Sequence, residues 1–127
     1  MTTPLHFLDF EHSDDDAGVG VFDAMASVRP DQLAALQAEI VAVLAWAHAE
    51  FGPALPLDED GEWDYDLTSV TESSRTEFLA FDPAGRRLVA LPGQPPPAGL
   101  PRHVVSLSIT GSPAFSEALK AAFVPAE

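Results

Sequence analysis

Seven apolar residues, Leu33, Leu36, Ile40, Val43, Leu44, Ala47 and Phe51, recur at spacings of one to four between Pro30 and Gly52-Pro53. These positions fall on one stripe of an α-helix, and such a stripe has to be buried against a second layer. Pro30 suits the first helical position, Asp31 complements the positive end of the helix dipole, and Gly52-Pro53 stops the helix. The remaining segments read as strands, turns and one short second helix.

Leu5 to Glu11, rich in Leu, Phe and His, predicts a first strand, and the following Glu11 to Gly18, with its run of three aspartates, reads as a loop because like charge opposes pairing. Val19 to Ser27 is apolar and free of proline, which predicts a second strand. Glu62 to Glu72 alternates for part of its length, with Trp63, Tyr65 and Leu67 on one face and Glu62, Asp64, Asp66 and Thr68 on the other. Thr76 to Asp82 and Arg86 to Leu91 flank Asp82-Pro83-Ala84-Gly85, where Asp opens a turn, Pro presets φ and Gly closes it, so a β-hairpin is predicted. The prolines between Pro92 and Pro101 make a stiff connection. Arg102 to Thr110 alternates again, placing His103, Val105, Leu107 and Ile109 on one side. Ser112-Pro113 then supplies a cap and a first-turn proline for a helix carrying Phe115, Leu119 and Phe123. The order ββ-α-ββββ-α predicts an α+β fold: a two-layer sandwich, with a mainly antiparallel sheet of about six strands and two helices on one face. Residues 1–127 are expected to form a single domain.

Charge narrows the choice of partners. The net charge is −14, yet a hydrophobic content of 46% is too high for a disordered acidic tail. Residues 1–82 oppose 18 acids with only Arg29 and Arg75, whereas residues 83–127 hold two acids and four bases. Such a field repels nucleic acid and anionic membranes and speeds encounter with a basic protein. The N-terminus lacks a basic, apolar leader, and no run approaches the ~18 apolar residues of a membrane span. A cytoplasmic protein, binding neither nucleic acid nor membrane, is the expectation. The absence of cysteine rules out disulfides, thiolate zinc sites and Cys nucleophiles.

The side of the first helix away from its stripe comprises Ala34, Ala35, Ala38, Ala42, Ala45, Trp46 and Ala49, none of them charged. Alanine is the best helix former and tolerates exposure, which is one account of it. The other is that the face docks against a second copy of the chain or a partner's groove. Trp46 would be its anchor, with Ala38, Ala42 and Ala45 around it.

DEDGEWDYDL, residues 58–67, sets six carboxylates within nine residues. It fails as a calcium loop: with Gly61 as the turn glycine, the first ligand position is Pro56 and the closing one Leu67. The histidines, at 6, 12, 48 and 103, are dispersed, and neither a nucleophile elbow nor a phosphate loop is present. No catalytic residue, metal-ligand set or cofactor is therefore assigned. Phe22-Asp23-Ala24-Met25-Ala26-Ser27 and Gly61-Glu62-Trp63-Asp64-Tyr65-Asp66-Leu67 resemble segments of a small family of uncharacterised bacterial proteins, a resemblance running along most of the chain that implies no activity, cofactor or site residue. The sequence favours a non-catalytic interaction module, dimeric or bound to a basic protein, with Glu62, Asp64 and Asp66 as its acidic face. The alternative is a small-molecule or metal-dependent enzyme with a carboxylate-lined pocket.

Overall fold

The computed structural model describes residues 3–74, 76–91 and 99–124. Along the chain come β1 Glu11–Asp14, β2 Gly20–Val28, α1 Leu33–Phe51, β3 Trp63–Glu72, β4 Leu79–Asp82, β5 Arg87–Ala90, β6 Arg102–Gly111 and α2 Pro113–Phe123. The fold is α+β with antiparallel pairing, as the sequence predicts. Its six strands divide, however: β1-β2-β6-β3 form a four-stranded sheet, and β4 and β5 a separate two-stranded ribbon.

One face of the large sheet carries the core. Phe22, Ala24, Ala26 and Val28 alternate inward on β2, as do Val105, Leu107 and Ile109 on β6, and the register sets Phe22 beside Ile109 and Ala24 beside Leu107. Both helices cover this face, α1 through Leu36, Ile40, Val43 and Ala47, α2 through Phe115, Leu119 and Phe123. Ser112 caps α2 as expected, its Oγ accepting from the Phe115 N–H at 3.2 Å. Where the layers meet, the Phe115 ring lies parallel to the Trp63 indole at 5.7 Å and also meets Phe51 at 5.0 Å. Trp63 Nε1 donates to the Gly52 carbonyl at 2.9 Å, so the residue that stops α1 also fixes the start of β3.

Two expectations need correction. Leu5 to Phe10 is not a strand. The backbone N–H groups of His6, Phe7 and Leu8 all donate to the Glu39 carboxylate, at 2.9 to 3.2 Å, while Leu8 is buried and Phe7 and Phe10 pack on the core. This accounts for Glu39, the one charge between Asp31 and Glu50. The first strand is instead the acidic Glu11–Asp14, read from sequence as unable to pair. It lies at an exposed edge, where like charges directly opposite, such as Glu11 and Asp23, cost roughly 0.2–1 kcal/mol. Against that cost, His12 stacks on Phe22 at 4.5 Å, and Asp15 Oδ1 closes the turn by accepting from the N–H groups of Ala17 and Val19.

Glu39→Ala is expected to lower stability by about 2 kcal/mol, because hydrogen bonds to a charged group contribute more than neutral ones. Glu39→Gln, which keeps an acceptor oxygen, should lose less. Urea unfolding reads the loss, and hydrogen exchange should show it first at His6 to Leu8; unchanged protection there would contradict the assignment.

By length and apolar composition, the helical stretch Pro30–Phe51 could cross a membrane, although it contains no unbroken apolar run of that length. Core helices meet the same measure; here Leu36, Ile40, Val43 and Ala47 are buried against the sheet, while most of the stretch is not buried. The proline-rich connection at residues 92–98 lies outside the described residues, as does Arg75.

Candidate functional site

Three surfaces remain after the core is assembled. The first is the outward side of α1. Ala34, Ala35, Ala38, Ala42, Ala45 and Ala49 are exposed there, as the helical spacing predicts. Trp46 does not join them. Its side chain is half-buried and turned to α2, with ring distances of 5.4 Å to Phe123, 5.8 Å to Phe115 and 6.1 Å to Phe51. It sits about a quarter turn from the centre of the core stripe at 100° per residue, on the flank that α2 occupies. The exposed large residue of this face is Val41, 63% accessible. Beside it a groove of about 440 Å³ runs between α1 and β3, lined by Ile40, Val41, Leu67 and Val105 with the polar Gln37, Thr68 and Ser69. Leu67 and its strand neighbour Tyr65 point to the helix layer but are left 42% and 41% accessible, because α1 does not reach over the outer strand.

The second surface is the sheet face away from the helices. The register brings Glu11, Asp23, Ser108 and Asp66 into one row across four strands, with Thr110 and Asp64 in an adjacent row. A shallow depression of about 510 Å³ lies over it, lined by Asp9, Glu11, Asp23 and Asp66 with Ser106 and Ser108. Carboxylates and hydroxyls in this setting accept hydrogen bonds from cationic groups. The three acids singled out from sequence differ in role. Asp66 is exposed, Asp64 Oδ1 accepts from the Tyr65 N–H at 2.9 Å, and Glu62 is bonded to the Ser112 hydroxyl at 2.6 Å beside the N-terminus of α2.

The histidines are not gathered with these acids. His12 bonds Asp14, His103 lies 3.2 Å from the Thr71 hydroxyl, and His48 is exposed on α1. Among the described residues, no three or more His, Asp or Glu side chains assemble as a metal ion requires.

A third surface was not read from sequence at all. The β4–β5 ribbon has no fully buried residue and exposes Leu79, Phe81 and Leu88 at 56%, 65% and 66%. The available signal was alternation in two short strands with no apolar face elsewhere reserved for them. No protein-family model, curated protein or solved structure matches the chain.

Proposed function

We propose that the chain is a non-catalytic protein-binding module of the cytoplasm. Its docking surface is the uncharged side of α1, with Ala38, Ala42 and Ala45, continued by the Val41–Leu67 groove. The observation that carries this reading is that exposed apolar surface, set beside an acidic sheet face in a chain of net charge −14. An exposed helix face normally carries charge; one without it can be desolvated at little cost, which is what an interface core requires. Asp64, Asp66 and the other carboxylates speed the encounter with a basic partner or a basic segment, while the apolar contacts supply affinity.

Ala42→Glu is the test, because Ala42 is exposed and a glutamate there leaves the core untouched. The wild-type chain on a support should retain a protein that the variant does not. Association should slow by about tenfold as salt is raised from low to several hundred millimolar. Equal retention by both chains would contradict the docking surface, and a salt-independent rate would contradict steering.

A further inference from the structure

We propose that the ribbon of β4 and β5 is an arm that docks on the α1–β3 groove of a second copy of this chain. The inference rests on the docking surface assigned above and names its occupant. Glu72 at the end of β3 pairs with Arg102 at the start of β6, so the whole excursion between them leaves and re-enters at one end of the sheet. The ribbon's substantial packing among the described residues is between its own two strands. Register puts Phe81 opposite Leu88 and Leu79 opposite Ala90, gathering these side chains on one face of the ribbon. A lone two-stranded hairpin is marginally stable in water and needs a further strand or layer on its apolar face. The arm therefore requires a surface that the described residues of its own chain do not provide.

The groove on a second copy supplies it. Val41, Leu67 and Tyr65 offer exposed apolar surface of matching character, on a helix side without a charge to desolvate. Charge acts at longer range, since the residues that line the groove are themselves uncharged. The arm's tip carries Arg86 and Arg87, two of the chain's six bases. Arg86 has no carboxylate within ion-pair distance among the described residues, and Arg87 reaches Asp82 only at 3.4 Å. Residues 1–72, which precede the arm and belong to the body that would receive the tip, hold 16 acids against Arg29 alone. Direct pairing of two β3 edges is the competing arrangement, and it would bring Asp64, Asp66 and Glu72 against the same acids of the other copy. Because arm and groove belong to one chain, a twofold dimer makes the contact twice and closes.

The chain has no cysteine, so Phe81→Cys and Val41→Cys can be made separately and mixed under mild oxidation. Both positions are exposed, and circular dichroism checks that each variant folds. Docking raises the local thiol concentration, so the mixed disulfide should form about tenfold faster than between Phe81→Cys and a control, Ala114→Cys on the exposed side of α2. A rate equal to the control overturns the proposal. If the rates are equal but Ala42→Glu still releases a bound foreign protein, the docking surface stands and only its occupant is wrong. If Ala42→Glu also releases nothing, both readings fall.

Discussion

Phe115→Ala should lose about 4 kcal/mol of folding stability, in the middle of the range for a buried aromatic truncated to alanine. Phe115 is fully buried on α2, and its ring contacts Trp63 of β3 together with Trp46 and Phe51 of α1. Truncation therefore opens a cavity bordered by three elements, none of which can close it by itself. Urea unfolding should show a much lower midpoint at unchanged slope. Emission from Trp46 and Trp63 should shift to the red in the folded state. Phe115→Leu, which restores most of the volume, should lose less than half as much. A loss below about 1 kcal/mol on Phe115→Ala would mean that the layers are not joined at this ring.

Gly61→Ala should be nearly as damaging, at about 2–3 kcal/mol, for a different reason. A Cβ on Gly61 would collide with the Leu55 carbonyl and lie 2.8 Å from the Pro56 carbonyl, both backbone atoms that cannot rotate away. The Gly61 N–H already donates to Pro56, and the Leu55 N–H to the Trp63 carbonyl at 3.0 Å, so the loop after α1 is folded back on the start of β3. Opening it would release the bond from the Trp63 indole to Gly52. Gly85→Ala is the matched control. The atoms nearest an added Cβ there belong to the side chains of Asp82 and Arg87, which can move, and the loss should stay within about 0.5 kcal/mol. Equal effects at the two glycines would contradict the packing described for the acidic loop.

Much of this architecture is legible in the sequence because periodicity reports faces. The stripe of α1, the two-faced strands β3 and β6 and the Ser112 cap all follow from local spacing. What was misread depended on partners distant in sequence. Leu5 to Phe10 has the composition of a strand, but its N–H groups are taken by Glu39, more than 30 residues away. The charges of Glu11–Asp14 argue against pairing only if strand pairing cannot outweigh a small repulsion at an exposed edge. Trp46 stands on the border of the helix stripe, and only the presence of α2 decides which way it turns. The hairpin around Asp82-Pro83-Ala84-Gly85 was predictable; its separation from the main sheet was not, since alternation does not reveal which layer receives an apolar face.

The candidate site follows the same division. Ala38, Ala42 and Ala45 are exposed where helical spacing puts them, and Asp64 and Asp66 lie on the sheet face opposite the helices. Val41, Leu67 and the arm emerge only in three dimensions, because their exposure results from α1 stopping short of the outer strand and from β4 and β5 leaving the sheet. On the proposed pairing, the two apolar surfaces left open on one acidic chain are halves of the same contact.

Sedimentation equilibrium tests that claim most directly. The wild-type chain should approach twice its 13.5 kDa mass at concentrations up to the millimolar range, and Phe81→Asp combined with Leu88→Asp should hold it at the single-chain mass. These residues are exposed, so the paired substitution leaves the core intact. A wild-type protein that stays at 13.5 kDa throughout, or a double variant that dimerises as well as wild type, would contradict it.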